Sequence, residues 1–440
     1  AVAAFDYERF ARSSPAGLPS LLFVAHRREI LQQSRRMFRH VLRSGDFGEL
    51  LVGGDKPQEW RHVFASIQSL SSSTVTSFAP DAFDMVVVDE FHHAAAPSYQ
   101  ALLDRVRPRV LLGLTATPER ADGQDVTAWF DGHIASELRL WDALEQHLLS
   151  PFHYYGVGHE ALDFRGKRWE GGHYLAEDLD NVLTGNHVVM NWVLEQVRDK
   201  VTDPQRMRAL AFASTISHAH FAAQRFRLAG INAIALDGTT PRDERDAALA
   251  GLHSGAVQVI VTVDLFNEGV DVPSVDTVLL MRPTESVTVF LQQLGRGLRR
   301  DEGKDVLTVL DFIGYQHKRF RFDLRYRALT GVTRQELVKA VESGFPYLPS
   351  GTFITLDRVA QDAVLENVRA HIPSTAKALV EDVRSHAEAR GMTRYPLAAY
   401  LDDAVAEPAD VYRRASWTEI CRRARLDTEP APAGRDDEEA

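Results

Sequence analysis

Short apolar runs alternate with amphipathic stretches over residues 1–117. Each run is rich in Val, Leu or Ile and is bounded by Pro, Asp or Ser, which is typical of buried strands. The predicted strands are Leu18–Ala25, His62–Leu70, Phe83–Glu90 and Arg109–Thr117. After the first of them, Arg27–Val41 places apolar residues at helical spacing. This strand–helix–strand alternation predicts a parallel sheet covered by helices.

A second series of apolar runs follows a polar stretch that is broken by Gly and Pro. Its predicted strands are Met207–Ser214, Ile231–Asp237, Val257–Asp264, Thr277–Met281 and Val306–Phe312. The predicted class is therefore α/β, with two tandem parallel-sheet domains and a C-terminal helical region. The predicted boundaries are 1–145 for the first domain, 146–186 for an interdomain connection, 187–330 for the second domain, 331–426 for the helical region and 427–440 for an acidic disordered tail.

Composition and charge narrow the class of protein. The chain has 440 residues and a net charge of −11, which excludes binding of nucleic acid by bulk positive charge. Its one cysteine, Cys421, excludes an intrachain disulfide and a cysteine-rich zinc site. No apolar run approaches the roughly 18 residues that a membrane span requires. We therefore predict a cytoplasmic multidomain protein whose positive charge is concentrated locally.

Two carboxylates follow the most apolar run of the first block. Met85–His93 reads MVVVDEFHH, so Asp89 and Glu90 are expected at the carboxyl edge of a parallel sheet, where open α/β folds bind ligands. Nucleotide hydrolysis uses one carboxylate to hold Mg²⁺ and another to orient or deprotonate the attacking water. The alternative is a solvated strand end. The next strand ends in Leu114–Pro118 (LTATP), whose hydroxyls can bond these carboxylates or satisfy the backbone of a turn.

An arginine-rich segment closes the second block. Phe290–Arg300 reads FLQQLGRGLRR, a helical pattern opened by two glycines. Arg296 and Arg299 are three residues apart, which predicts that both guanidiniums share one helical face. Such a pair suits a γ-phosphate whose charge grows in the transition state; the alternative is a basic helix end that complements the helix dipole. Val263–Pro273 is either a loop that approaches a ligand or an ordinary strand-to-helix loop.

Two further features have competing interpretations. His218 and His220 could be metal ligands, but residues two apart on a helix point to different faces, which favours a structural role. Lys318–Arg327 interleaves basic and aromatic residues. This pattern suits contact with a nucleic-acid backbone and stacking on bases, or a helix that packs its aromatic side chains into the second domain.

In chain order, these segments resemble the motifs of superfamily 2 helicases of the DExH type. The segments similar to motifs Ia, Ib, II and III are Leu22–Ser34, Ser66–Leu70, Asp89–His92 and Thr115–Thr117. The segments similar to motifs IV, V and VI are Ala211–Thr215, Val263–Asp271 and Gln292–Arg299. The run DEFHHAAAPSY, with DFIGYQHKRFRFDLRYRALTG downstream, is similar to a bacterial subgroup of large multidomain DExH helicases. The resemblance implies two RecA-like domains with ATP bound between them.

The resemblance also implies a role for each matching residue. In catalysis it implies Asp89 as the Mg²⁺ ligand, Glu90 as the base, Gln292 beside the γ-phosphate, and Arg296 and Arg299 as arginine fingers. The resemblance implies that His92, Thr115 and Thr117 couple the ATP site to the second domain. The residues implied to bind nucleotide at the domain interface are Glu268, Gly269 and Asp271. Those implied to contact the nucleic-acid backbone are Arg27, Ser66, Gln68, Ser214 and Thr215.

One motif of the family is missing from the chain. Motif I is a Walker A loop, G-x-x-x-x-G-K-[ST], whose backbone N–H groups and lysine cradle phosphates. The pairs Gly166-Lys167 and Gly303-Lys304 both lack its spacing. In the family, a helix resembling AVAAFDYERF follows this loop directly. We therefore expect a first domain that is N-terminally truncated just after the loop, and a fragment that by itself is deficient in ATP hydrolysis.

The implied function is that of an ATP-dependent helicase or translocase on nucleic acid, with DNA favoured over RNA by the subgroup resemblance alone. Two alternatives stay open: the motor subunit of a restriction or defence complex, and a non-catalytic nucleic-acid-binding module. A nuclease domain or subunit in the full-length system would favour the first alternative. A Walker A loop encoded upstream of Ala1 would exclude the second.

Overall fold

The chain folds into two compact units, one within residues 1–137 and one within residues 138–265 and 272–427. The structure is a computed structural model and describes residues 1–14, 17–94, 96–115, 126–265, 272–332, 334–371, 375–389, 392–404, 406 and 408–427. No helix in this described part of the chain is long and apolar enough to cross a membrane.

The first unit is built on a five-stranded parallel sheet in the order β2-β3-β1-β4-β5. Its strands are β1 (Leu21–Ala25), β2 (Glu49–Leu51), β3 (His62–Ser66), β4 (Met85–Asp89) and β5 (Val110–Leu114). Its helices are α1 (Val2–Arg12), α2 (Arg28–Leu42), α3 (Ser72–Ser77) and α4 (Pro97–Arg105), with short 3-10 turns at Ile67–Ser69, Phe91–His93 and Val126–Phe130. Within the described residues β5 is an outermost strand, and all of its residues are only partly buried.

Alternate residues of the central strands pack against helices on opposite faces of this sheet. Leu21 and Phe23 of β1 lie in one apolar cluster with residues of α1 and α2, whereas Leu22 and Val24 lie in another with residues of α3 and α4. The two clusters arise because successive side chains of a strand point to opposite faces. A strand covered on both faces has no polar side, so it reads as a continuous apolar run. The predicted parallel sheet covered by helices is confirmed.

The second unit contains a seven-stranded parallel sheet in the order β10-β11-β9-β12-β13-β6-β14, and a two-stranded antiparallel pair, β7-β8. Its strands are β6 (Phe152–Asp163), β7 (Trp169–Glu170), β8 (His173–Tyr174), β9 (Ala209–Phe212), β10 (Ala233–Leu236), β11 (Val259–Thr262), β12 (Thr277–Leu280), β13 (Leu307–Tyr315) and β14 (Phe353–Leu356). The helices as far as the start of β14 are α5 (Leu140–Glu145), α6 (Ala176–Leu183), α7 (His187–Lys200), α8 (Ile216–Leu228), α9 (Arg242–Ser254), α10 (Val287–Leu298), α11 (Phe322–Thr330) and α12 (Arg334–Glu342). The remaining helices are α13 (Arg358–His371), α14 (Ala376–Ala389), α15 (Leu397–Asp403), α16 (Pro408–Tyr412) and α17 (Trp417–Ala424).

The segment 146–186, which the sequence suggests is a connection, contributes β6 and α6 to the second unit. Strand β6 lies between β13 and β14. A Cβ at Gly156 would lie 2.3 Å from Cδ2 of Leu356, and one at Gly158 would lie 2.4 Å from the backbone nitrogen of Ala360. Glycine at both positions therefore lets neighbouring chain pack directly on the strand.

The predicted helical region 331–426 has two parts. Its first part includes β14, which joins the edge of the sheet beside β6, and α13, which packs against β6 and β13. Its second part consists of α14 to α17, which pack around an apolar core of their own. The last helices thus form a small module within the second unit.

The basic and aromatic segment Lys318–Arg327 packs into the second unit. Phe320, Phe322 and Tyr326 are at most 1% exposed, and Arg325 is 3% exposed. The Arg325 guanidinium lies over the Phe320 and Phe322 rings, at 5.4 and 5.5 Å from their centroids. Of the two interpretations of this segment, packing of the aromatic side chains is the one that the structure confirms.

We expect Arg325→Met to destabilise the second unit by about 3–5 kcal/mol, because it leaves a buried carboxylate without its cation. Arg325 donates to the Asp311 carboxylate, and the two side chains are 4% and 2% exposed. Urea unfolding followed by circular dichroism measures the loss. The control is Arg165→Met, which breaks a solvent-exposed pair with Asp163 in the same unit. An unfolding midpoint for Arg325→Met equal to that of the control would contradict the prediction.

Candidate nucleotide and nucleic-acid site

The two carboxylates of motif II lie at the carboxyl edge of the first sheet. Strand β4 ends at Asp89, which is in register with Leu114 at the end of β5. Glu90 follows with left-handed backbone angles, φ 53° and ψ 52°, which are uncommon for a residue other than glycine and cost energy to maintain. The Glu90 N–H donates to Oδ1 of Asp89 at 3.1 Å. The left-handed conformation of Glu90 therefore ends the strand. It leaves the two consecutive carboxylates at the edge of the sheet where such folds bind ligands.

A histidine connects motif II to motif III. His92 Nδ1 lies 3.3 Å from Oε2 of Glu90 and 3.2 Å from Oγ1 of Thr115. The His92 and Glu90 side chains are 13% and 17% exposed. The His93 ring is tilted by 44° against the His92 ring with centroids 4.2 Å apart, and it meets the His26 ring edge-on at 5.7 Å. The structure thus brings together three residues that the sequence assigns to catalysis and coupling. The neighbours His26 and His93 carry no signal in the sequence.

The amino group of Ala1, at the start of α1, lies within electrostatic range of Asp89. Burial lowers the pKa of the Ala1 amino group, and the negative charge of Asp89 opposes that shift. Side chains of Ala3, Ala4 and Tyr7 anchor the helix in the core of the first unit. Because the amino end of a helix presents free N–H groups and a partial positive charge, this arrangement favours an anion beside Asp89.

Motif VI forms the carboxyl half of α10 in the second unit. The helix runs through both glycines to Leu298, so the predicted opening at the glycines is not observed. A Cβ at Gly297 would lie 2.3 Å from Cδ1 of Leu307, and glycine therefore permits close packing on β13. Arg299 follows the helix with extended angles, φ −65° and ψ 139°. The prediction that Arg296 and Arg299 share one helical face is wrong, because the helix ends between them.

The glutamine pair of motif VI is buried, and its two members differ. Gln293 is 0% exposed, and its Oε1 accepts a hydrogen bond from the Thr284 hydroxyl at 3.3 Å. Gln292 is 7% exposed, yet neither atom of its amide has a hydrogen-bond partner among the described residues. Buried polar groups are nearly always paired, so an unsatisfied amide is what a ligand-binding glutamine would present before its ligand is bound.

Three of the residues assigned to nucleic-acid contact have their hydroxyls engaged within the chain. Ser66 is 4% exposed and donates to Ser69 at 2.7 Å. In the second unit, Ser214 Oγ lies 3.0 Å from His218 Nδ1, and Thr215 donates to Asp180. To donate to a phosphate, each of these hydroxyls would first have to break its present hydrogen bond within the chain.

The remaining site residues fall into two groups. Arg27 is partly exposed at the start of α2, and Gln68 is exposed in the turn after β3. Four residues lie outside the described part of the chain: Thr117, Glu268, Gly269 and Asp271. Asp180, the partner of Thr215, was not foreseen, because it belongs to a segment without strand or helix periodicity strong enough to assign.

His218 and His220 both lie on α8, in different environments. His218 is buried, and burial lowers its pKa to about 4, with Asp180 opposing the shift. His220 lies on the exposed side of α8, with Nε2 3.6 Å from Oδ2 of Asp237. Across the residues that the structure describes, no group of three or more His, Cys, Asp or Glu side chains could hold a metal ion. The two rings thus lie on different sides of α8, His218 in the interior and His220 at the surface.

Two family models match the chain, one in each unit. Residues 1–120 match the family described as the type III restriction enzyme, res subunit. Residues 192–301 match the family described as the helicase conserved C-terminal domain. The first match contains motifs Ia to III, and the second contains motifs IV to VI.

Relatives and solved structures extend these matches. A 51.5 kDa protein of a Lactococcus phage (isolate 7-9) is 28% identical over 290 residues, which are 66% of this chain and 58% of that protein. IRC3 of Saccharomyces cerevisiae, whose name describes an ATP-dependent helicase, is 26% identical over 307 residues, which are 67% of this chain and 43% of that protein. The chain thus spans about half the length of the curated relatives it matches. The structure of the ATP-dependent type ISP restriction-modification enzyme LlaBIII bound to DNA has a TM-score of 0.59 at 15% identity and covers 88% of this chain and 32% of that one. This likeness shows the fold, two tandem RecA-like domains with an added helical region.

Proposed function

We propose that this chain, which is a superfamily 2 helicase of the DExH type, is the motor of an ATP-dependent translocase that acts on DNA. The observation that carries the proposal is the contact between Glu90, His92 and Thr115, because it links a candidate catalytic base to the neighbouring motif. A motor needs such a link, since hydrolysis must change the grip on the nucleic acid.

The first unit has groups suited to ATP and Mg²⁺. Asp89 would hold the Mg²⁺ ion, which supplies charge neutralisation for the phosphates when it is bound. Glu90 lies next to it and would take the proton of the attacking water. The amino end of α1, close to Asp89, offers N–H groups to a phosphate. These are oxygen and N–H groups of the kind that a nucleotide–magnesium complex requires.

In the second unit, we propose that Arg296 and Arg299 stabilise the negative charge that develops on the phosphate in the transition state. Gln292, whose buried amide has no hydrogen-bond partner among the described residues, would bond the γ-phosphate or the attacking water. The nucleotide-binding roles of Glu268, Gly269 and Asp271 remain part of the proposal. On the nucleic-acid side, we propose contacts from Arg27 and Gln68, and from Ser66, Ser214 and Thr215 once their hydroxyls rearrange.

The decisive experiment is an ATPase assay with and without nucleic acid. Residues 1–440 contain no Walker A loop, so we expect the 440-residue chain by itself to hydrolyse little ATP. We expect DNA-stimulated hydrolysis from a form of the protein that includes a Walker A loop, which we call the ATP-hydrolysing form. Single-stranded DNA, duplex DNA and RNA of equal length are compared as activators. Robust DNA-stimulated turnover by the 440-residue chain, or stimulation by RNA alone, would contradict the proposal.

We expect Thr115→Val to weaken the stimulation of ATP hydrolysis by DNA about tenfold, while ATP affinity stays within about twofold. The valine keeps the shape of the side chain but removes the oxygen that lies 3.2 Å from His92. The matched control is Thr76→Val on α3, where the lost hydroxyl bonds only carbonyls of its own helix. Full stimulation of the Thr115 variant would exclude the proposed coupling.

A second candidate function is the translocating subunit of a restriction system. It is favoured by the match of residues 1–120 to a restriction-enzyme family and by the shared fold with a restriction-modification enzyme bound to DNA. This candidate differs from a helicase in that the motor moves without separating strands. A strand-displacement assay run beside a triplex-displacement assay discriminates the two, since only a helicase releases the complementary strand. A nuclease domain or subunit that copurifies with the protein would favour the restriction motor.

A further inference from the structure

A partly buried lysine, Lys304, lies next to the segment that carries the two candidate arginines. Asp301 to Lys304 form a turn in which the Lys304 N–H donates to the Asp301 carbonyl at 3.2 Å. Gly303 has a φ of 80°, the left-handed conformation that the third position of a type II turn requires. The turn brings the Lys304 side chain to the carboxyl end of α10.

The Lys304 ammonium donates to three backbone carbonyls. It bonds the carbonyls of Gly297, of Arg299 at 2.7 Å and of Pro273 at 3.2 Å. An ammonium has three N–H donors, so these bonds use its full capacity. The first two carbonyls belong to motif VI, and Pro273 follows motif V. One side chain therefore joins the end of motif VI to Pro273.

Helix α10 depends on such donors because its own backbone does not close its carboxyl end. Arg299 is extended rather than left-handed, so the last carbonyls of the helix need partners from elsewhere. Ser150 supplies two donors: its N–H bonds the Leu298 carbonyl at 2.8 Å, and its hydroxyl bonds the Arg299 carbonyl at 3.3 Å. Lys304 adds donors to the carbonyls of Gly297 and Arg299.

Lys304 remains charged although partial burial disfavours the charged form of its side chain. Burial lowers the pKa of the ammonium to about 8, and the carboxylates of Asp276 and Asp301 oppose that shift. Asp276 itself accepts a hydrogen bond from the N–H of Arg208 at 2.9 Å. At neutral pH the side chain is thus mostly an ammonium with all three donors available.

We propose that Lys304 is a positioning residue for ATP hydrolysis: it ties the backbone of the segment that contains Arg296 and Arg299 to Pro273. This inference rests on the proposed function, since it assumes that these arginines act on ATP. A catalytic side chain is effective only when its backbone is fixed, because a small displacement of the side chain lowers the reaction rate strongly.

The test compares Lys304→Met, which removes the donors, with Lys304→Arg, which keeps a cation and several donors. In the ATP-hydrolysing form of the protein, we expect Lys304→Met to lower kcat at least about tenfold with the KM for ATP within about twofold. We expect Lys304→Arg to restore kcat to within about threefold of the wild type. Hydrogen exchange of the peptide covering 290–300 is measured in parallel without nucleotide, and Lys304→Met is expected to accelerate it.

The matched control is Arg227→Met, which removes another side-chain bond to a carbonyl in the second unit, that of Ala233. Unchanged kcat and exchange in Lys304→Met, an equal loss of kcat in the control, or no rescue by arginine would overturn the proposal. Should Lys304→Met fail to fold, Lys304→Gln carries the test, because its shorter, uncharged side chain keeps a polar group at the site but cannot make all three bonds; an unchanged kcat in that variant would overturn the proposal. Absence of ATP hydrolysis by a wild-type form that includes a Walker A loop would refute the proposed function, while the exchange measurement would still report on the Lys304 contacts.

Discussion

Replacing Glu90 with Gln is expected to abolish ATP hydrolysis, with kcat lowered at least about 100-fold, while ATP binding stays within about threefold. The amide keeps the size of the side chain but cannot accept a proton, and general bases contribute about 10²- to 10⁴-fold to rate. Glu90 directly follows Asp89 at the carboxyl edge of the first sheet. Single-turnover hydrolysis and equilibrium binding of a fluorescent ATP analogue, both in the ATP-hydrolysing form of the protein, measure the two quantities separately.

The matched control for this variant is Glu59→Gln, which makes the same chemical change at an exposed position of the same unit. We expect the control to hydrolyse ATP at the wild-type rate. Near-normal hydrolysis by Glu90→Gln would refute the assignment of the base. Loss of ATP binding together with hydrolysis would instead assign the Glu90 carboxylate to nucleotide binding.

The second large effect is expected at the arginines of motif VI. Arg296→Ala or Arg299→Ala should lower kcat by about 10³-fold, since an arginine finger contributes about 10³- to 10⁵-fold to phosphoryl transfer. The KM for ATP should change far less, because the guanidinium interacts most strongly with charge that develops in the transition state. Steady-state ATPase kinetics at saturating DNA give both parameters.

The neighbouring Arg300 provides the control for the motif VI variants. It lies on the same segment, and its guanidinium donates to the His147 carbonyl at 2.9 Å. We expect Arg300→Ala to retain kcat within about threefold. Equal losses at all three positions would indicate a general effect of positive charge and would argue against specific fingers. A loss at only one of Arg296 and Arg299 would restrict the assignment to that residue.

The central strands of the first sheet could be predicted because their side chains are buried on both faces, whereas the short β2 (Glu49–Leu51) was not among the predicted strands. In β4 every residue from Met85 to Val88 is fully buried, and each is apolar in the sequence. Strand β6 was missed for the opposite reason. Its Gly156 and Gly158 allow Leu356 and the backbone at Ala360 to pack directly on the strand. Those neighbours lie about 200 residues away in the sequence, so nothing local reveals why glycine occurs within a strand.

The candidate site was predictable to the extent that it follows from sheet geometry. Neighbouring parallel strands end at one edge, so motif II and motif III were expected to meet, and the contact between His92 and Thr115 has that origin. The left-handed backbone of Glu90 could not be predicted, because the residue type disfavours it. The bond from Thr215 to Asp180 could not be predicted either, because it joins two helices whose side chains are 35 residues apart in the sequence.

Strand β5, at one edge of the first sheet as far as the structure describes it, affects how the protein can be handled. Val110–Leu114 is apolar throughout, has no charged residue, and is only partly buried along its length. Natural sheets usually protect such edges with charge, proline or a covering segment, because an apolar edge pairs with the edge of another molecule. We therefore expect concentrated preparations of the 440-residue chain to self-associate through this strand. A lysine in place of Leu112 should raise the concentration at which light scattering first increases.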